Sequence, residues 1–125
     1  MNAGTTAFIN NQHQTYQTVE KCHDGEGPLR LKDVIGAFGK KQFIKFIHDD
    51  IIPPGTTIGY HQHAGSNPFE EWYYVISGEG IMQLDGEEHR MRPGDISVCL
   101  ASGHHGIKNT GTENLRILVI CAAPL

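Results

Sequence analysis

Residues 56–78 read TTIGYHQHAGSNPFEEWYYVISG, two runs rich in β-branched and aromatic residues with a short stretch of small and turn-forming residues between them. Such composition marks two β-strands joined by a loop. In the first run His61 and His63 are one residue apart. Side chains on a strand alternate between faces, so both imidazoles point to one side while Tyr60 and Gln62 point to the other. Gly59 precedes them on the histidine face and leaves free space beside them. In the second run Glu71, Tyr73 and Val75 share a parity, and Trp72 and Tyr74 face the opposite way, to pack the sheet or a dimer contact.

The same texture extends from Phe43 to the C-terminal region. The runs FIKFIHDDI, GIMQL, EHRMR, DISVCL, GIKN and LRILVICA are punctuated by Pro53-Pro54-Gly55, Gly78-Glu79-Gly80, Asp85-Gly86 and Arg92-Pro93-Gly94. Short strands at this spacing with Gly/Pro turns predict an all-β sandwich or barrel. Asp85-Gly86 is a two-residue hairpin signal, because both central positions of a type I′ turn need positive φ. Around it Met82, Leu84, His89 and Met91 alternate with polar residues, which predicts one buried face with His89 at the edge of the core. Helix is confined to a turn or two within residues 31–38. Residues 1–30 are polar and irregular; they are expected to form an arm, leaving 31–125 as the barrel domain.

A chain of 125 residues suits one domain. Its net charge of −4, with Lys and Arg scattered, argues against a nucleic-acid partner; the group Lys40, Lys41 and Lys45 is too small to track phosphates. No apolar run approaches the ~20 residues that span a bilayer, and the start lacks a basic and apolar leader pattern. A cytoplasmic protein without a membrane partner is the expectation. Cys22, Cys99 and Cys121 are odd in number and lack CxxC spacing, so free thiols are expected.

Histidine, present eight times, is the unusual component. His105 opens a further short strand, directly after the loop 101–104. Together with His61, His63 and Glu71 it would bring three imidazoles and a carboxylate onto neighbouring strands, a donor set that Mn, Fe, Ni, Cu or Zn accepts. Four protein ligands leave positions open on an octahedral ion. The interior of a small barrel is filled by side chains, and each buried polar group without a partner costs roughly 1–3 kcal/mol. A cation satisfies such a cluster most fully. His104 should face away from it, and His13, His23 and His48 show no partner pattern.

These residues resemble the two motifs of the cupin superfamily. The first is Gly, five residues, His-x-His, three or four residues, Glu, six residues, Gly; here it corresponds to Gly55, His61, His63, Glu71 and Gly78, with seven residues between His63 and Glu71. The longer interval leaves Glu70 or Glu71 as the carboxylate, and the spacing to Gly78 and the strand parity favour Glu71. The second motif corresponds to Gly94, Leu100, Ser102, His105 and Asn109, with Leu100 and Ser102 standing where the motif has Pro and Gly; Gly103 is expected to supply the flexibility one position later. The resemblance spans roughly residues 43–122 and is nearest to small single-domain cupins of the isomerase-like and oxalate-decarboxylase-like kind. It implies a jelly-roll barrel (a double-stranded β-helix), a divalent metal in its lumen and frequent dimerisation; a small-molecule ligand is expected at the metal, and a homodimer is expected on this ground and because the polar N-terminal arm could cross to a partner barrel and cover an exposed sheet edge. A metal-dependent enzyme acting on a small, polar, chelating metabolite is the expected function, with oxidative or decarboxylating chemistry preferred. Isomerase or lyase chemistry on a sugar- or keto-acid-like substrate, and a non-catalytic binding or sensor role, are the alternatives. Tyr73, and Glu70 if it does not ligate, are the candidate catalytic groups.

Overall fold

A computed structural model describes residues 6–63 and 68–125; of the loop expected at 64–68, all but Pro68 lies outside the described residues. Ten strands are present among them: β1 (Gln17–Glu20), β2 (Pro28–Asp33), β3 (Ile44–Ile52), β4 (Thr57–Gln62), β5 (Glu70–Ser77), β6 (Gly80–Leu84), β7 (Glu87–Met91), β8 (Ile96–Cys99), β9 (His104–Lys108) and β10 (Leu115–Ala122). Six pair antiparallel in the order β1-β2-β3-β10-β5-β8 and four in the order β4-β9-β6-β7. The two sheets face each other as the jelly-roll barrel that the resemblance implies. No helix among the described residues is long and apolar enough to cross a membrane.

The sequence of β10, LRILVICA, shows why the sheets close. Leu115, Ile117, Val119 and Cys121 are buried in strict alternation with partly exposed Arg116, Leu118, Ile120 and Ala122, the pattern of a strand with one face on a core. The register carries that face across the sheet: Leu115 lies opposite Ile52, and Ile117 lies between Asp50 and Val75. Val119 lies between His48 and Tyr73, and Cys121 between Phe46 and Glu71. On the facing sheet Ile107 lies opposite Ile58 and Met82, whereas His105 lies opposite His61 and Leu84. The lumen is thus apolar at one end, where Ile52, Met82, Leu115 and Ile117 are each 0% exposed, and rich in imidazole and carboxylate at the other. Each fully buried aliphatic side chain at the apolar end contributes about 1.5–3 kcal/mol.

The N-terminal region departs from the expected irregular arm. β1 and β2 extend the six-stranded sheet beyond β3, with Leu31 opposite Asp50 in the ladder. Leu29 is buried in the core, and Val19 and Leu31 pack against it. On the other face of the sheet, Asp49 accepts two hydrogen bonds from Arg116, at 3.0 and 2.7 Å, and one from the Tyr16 hydroxyl at 2.9 Å. Burial opposes ionisation of Asp49, but these donors outweigh it and hold its carboxyl below the usual range. A few apolar anchors and a shared carboxylate suffice to order a segment that is otherwise polar. The helix expected within 31–38 is displaced: β2 runs to Asp33, and a 3-10 helix occupies Gly36–Lys41.

Two turns bear on the site. Asp85 and Gly86 have φ of 46° and 86°, as the hairpin signal requires. Before His105, the left-handed conformation falls on Ser102 (φ 69°), the position where the motif carries Gly, and not on Gly103. The turn is closed by Gly103 N–H donating to the Leu100 carbonyl at 2.9 Å and is tied to β4 by Ser102 N–H donating to the His63 carbonyl at 3.1 Å. A side chain in this region costs roughly 1–2 kcal/mol, which glycine's greater backbone entropy in the unfolded chain partly offsets. Ser102→Gly is therefore expected to raise unfolding stability by about 0.5–1 kcal/mol with an unchanged m-value in urea titration. A loss of stability would show that the serine side chain outweighs the backbone strain.

Candidate metal centre

His61, His63, Glu71 and His105 converge. One donor atom from each lies within 4.8 Å of those of the other three. β4 and β9 deliver the imidazoles, and the delivery depends on a local irregularity. The β4–β9 register runs from Ile58 opposite Ile107 to His61 opposite His105, so Gly59 and Tyr60 together face one residue, Gly106. This bulge lets Ile58 and His61 both point into the lumen, which simple alternation forbids. His63 follows two residues later, its N–H bound to the Gly103 carbonyl at 3.1 Å. Glu71 enters from the opposite sheet, between Cys121 and Cys99.

His105 is 0% exposed and His63 6%. Their Nε2 atoms approach Glu71 Oε1 at 3.2 and 3.6 Å, but without hydrogen-bond geometry, and all four ring nitrogens of these two residues lack a hydrogen-bond partner among the described residues. His61 differs: its Nδ1–H donates to the Gly59 carbonyl at 2.7 Å, which leaves Nε2 as the free lone pair. Burial lowers the His61 pKa to about 4; the Gly59 carbonyl opposes this, and the neighbouring His23, His105 and His63 rings reinforce it. Burial opposes ionisation of Glu71, but His105 and His63 outweigh it and bring its carboxyl down to about 2. A neutral His61 and an ionised Glu71 are the protonation states in which these two groups could bind a metal. The orphaned nitrogens and this charge state fit a divalent ion.

The neighbouring residues fall on both sides of expectation. Tyr73 points into the lumen, with its ring centroid 4.7 Å from that of His105. Burial, followed by the nearby Glu71 carboxylate, pushes its phenol well above the ordinary value. Glu70 is not brought to the cluster: it lies on the other face of β5, where its Oε1 accepts from the Trp72 indole at 3.1 Å. Period two separates adjacent residues in this way. His104 turns away from the cluster and stacks on Tyr60. His89 does lie opposite Met82, but half of its side chain is exposed and no core edge covers it. β7 buries only Met91 among its five residues.

His23 was not legible in the sequence. Its ring stacks on His61 with centroids 3.6 Å apart and planes 8° from parallel. The 3-10 turn Cys22–Asp24 carries it, with Lys21, His23 and Asp24 all at positive φ. The space beside Gly59 is consequently filled: a Cβ there would stand 2.1 Å from the His23 carbonyl oxygen. Gly59 was the available signal, since a strand glycine often marks a bulge or a close backbone approach. The cluster opens on a cavity of about 780 Å³ lined by His23, Lys45, Phe46, Phe69 and Pro124, among others.

A jelly-roll barrel whose lumen gathers three imidazoles and a carboxylate defines a class of small metal-site β-proteins. A family model described as Cupin domain matches residues 50–121, and the chain belongs to the cupin family. It is similar to the oxalate-binding protein of Thermotoga maritima, 24% identical over 120 residues that cover 96% of this chain and 97% of that one. A 5-nitrosalicylic acid 1,2-dioxygenase from Bradyrhizobium is 29% identical over 70 residues, which cover 56% of this chain and 32% of the dioxygenase. Among solved structures, a predicted oxalate decarboxylase from Thermotoga maritima superposes with a TM-score of 0.85 at 22% identity, covering 94% of this chain and 100% of that one. KdgF from Halomonas superposes with a TM-score of 0.73 at 23% identity, covering 97% and 96%.

One further buried carboxyl underlies the site. Asp50 is 3% exposed, and its Oδ1 has no hydrogen-bond partner among the described residues. Burial, then the charges of Glu71 and Asp49, raise its pKa from 3.8 to about 7. The unfolded chain ionises this group near 3.8 while the folded chain keeps its proton. The stability it contributes is therefore full below that value and declines as pH rises through about 7, by on the order of a few kcal/mol. In chelator-treated protein, Asp50→Asn is expected to gain stability relative to wild type between pH 4 and pH 8, measured by urea unfolding. An unchanged difference between the two proteins across that range would disprove a protonated Asp50.

Proposed function

We propose that His61, His63, Glu71 and His105 hold one divalent transition metal (Mn, Fe, Ni, Cu or Zn) and that a small organic acid binds at its open positions. The observation that carries this reading is the pair of buried imidazoles, His63 and His105, whose ring nitrogens have no hydrogen-bond partner among the described residues and whose Nε2 atoms face the Glu71 carboxylate. At roughly 1–3 kcal/mol for each unsatisfied group, such a cluster is costly unless an ion completes it. When bound, a metal there supplies Lewis acidity, polarising a carbonyl or stabilising an enolate.

The protein's own residues then have distinct tasks. The Gly59 carbonyl fixes the His61 tautomer, and the stacked His23 ring holds that imidazole in place. Tyr73, kept protonated by burial and by Glu71, serves as a hydrogen-bond donor in the lumen rather than as a base. Oxidative or decarboxylating chemistry on a carboxylate substrate is the preferred reaction class. The names of the oxalate-binding, oxalate decarboxylase and dioxygenase relatives support it. A non-catalytic binding role is the second reading; it is favoured by Glu71 being the one carboxylate among the described residues that line the cavity. Oxygen uptake or carbon dioxide release with metal-loaded protein separates the two. A homodimer is also proposed, supported by Tyr74, Ile76 and Ile96, which expose 38%, 37% and 55% of their surface on the outer face of the six-stranded sheet. A 13.8 kDa species at micromolar concentration in sedimentation would contradict it.

The metal reading is tested by elemental analysis of the purified protein. One equivalent per chain is expected in wild type and in the exposed-site control His89→Ala, and less than a tenth of an equivalent in His105→Ala and Glu71→Gln. Folded wild-type protein that takes up no transition metal at micromolar free ion would end the proposal.

A further inference from the structure

The cavity above the cluster has a chemical character of its own. Its walls are Phe46, Phe69, Pro68, Pro124 and Leu125, and Lys45 is the one Lys or Arg among the described residues lining it. Strand alternation does not put Lys45 there. Phe46, Asp50 and Ile52 share the inward parity of β3, which assigns Lys45 to the outer face. The ladder with β10 breaks at this point: Cys121 pairs with Phe46 but Ala122 pairs with Ile44, so Lys45 is an extra residue without a partner in the ladder. A bulge of this kind re-aims a side chain, and here Lys45 and Phe46 both line the cavity.

The bulge is held from outside. Gly39, buried in the 3-10 helix Gly36–Lys41, lies so close to the Lys45 carbonyl that a Cβ would stand 2.2 Å from its oxygen. Any larger residue at 39 would displace the Lys45 backbone. Lys45 forms no ion pair among the described residues.

We infer that Lys45 is the specificity-determining residue of the site and that the ligand is an organic carboxylate with an apolar body: its carboxylate pairs with Lys45 and its body lies on Phe46, Phe69 and Pro124. The inference deepens the proposed function and rests on the metal reading, because the ligand's oxygen donors are taken to reach the ion. Size supports it. A two-carbon dicarboxylate displaces roughly three water volumes, ~90 Å³, against a cavity of about 780 Å³, and apolar walls would be left wetted around it. Apolar walls with a few placed polar groups are the usual form of a site for a larger organic ligand.

Phenylpyruvate and pyruvate present the same 2-oxo carboxylate with and without an apolar body, and they serve as probes in calorimetric titration of the metal-loaded protein. Phenylpyruvate is expected to bind at least tenfold more tightly than pyruvate or oxalate. Lys45→Met, which keeps the apolar stem, should weaken phenylpyruvate by about ten- to hundredfold, Lys45→Arg should restore most of the affinity, and metal content should stay at one equivalent in both variants. A wild-type chain that holds no metal refutes the metal reading and this inference together. A chain that holds its metal but binds pyruvate or oxalate as tightly as phenylpyruvate, or ignores the Lys45→Met change, refutes the inference alone.

Discussion

Two buried imidazoles, a third half-buried one and a buried carboxylate converge in a cluster that cannot be satisfied by its own members. His63 and His105 offer four ring nitrogens, and the one carboxylate within reach, Glu71, approaches them without hydrogen-bond geometry. Left alone, such a group would loosen the barrel, since an unsatisfied buried polar atom costs at least as much as a good hydrogen bond contributes. The surrounding fold must therefore be stable without it. The apolar end of the lumen meets that need: Ile52, Met82, Leu115 and Ile117 come from both sheets and close the barrel independently of the imidazoles. This division of the lumen along its axis lets a small domain carry a cluster whose members repel burial.

Between the two ends lies a layer that belongs to neither. Asp50, Tyr73 and Ser97 are buried polar residues along the inner face of the six-stranded sheet, and the Asp50 and Ser97 oxygens have unmet hydrogen-bond capacity among the described residues. Burial raises the Asp50 carboxyl to about 7 and the Tyr73 phenol well above its ordinary value, so below neutral pH little further negative charge accumulates beneath Glu71. In that range the negative charge of the lumen is concentrated on a single carboxylate, the one that faces the imidazoles.

Much of this was legible in the sequence, and the reason is the two-residue period of a strand. His61-x-His63 shares a face however the strand is placed, and parity alone separates Glu71 from Glu70. The hairpin at Asp85-Gly86 followed from the φ that each position must adopt. What escaped notice depends on irregular backbone or long-range pairing. β1 buries no residue fully, and its one anchored side chain, Val19, is too little to form a pattern. The Asp49–Arg116 pair that helps fix the sheet joins residues 67 positions apart. His23 reaches His61 through three left-handed residues, and left-handed backbone at non-glycine positions has no reliable sequence signature. Ser102 illustrates the same difficulty: the strained residue took the conformation in place, and its flexible neighbour Gly103 did not.

The bulges in β3 and β4 connect these observations to function. A regular strand can send only every second residue into the lumen, which in a barrel this narrow gives each strand few inward positions. At Gly59–Tyr60 the extra residue allows an apolar core position and a donor imidazole to follow each other on the inner face. At Lys45 it allows a cation and an aromatic ring to do so at the cavity wall. Both irregularities are braced by glycine packed against backbone, Gly59 against the His23 turn and Gly39 against Lys45. The regular ladder supplies the shared cupin scaffold, on which many chemistries are possible. The departures from regularity set which side chains reach the cluster and line the cavity, and a change at either glycine would act on the site through the backbone without removing any group that touches the cluster.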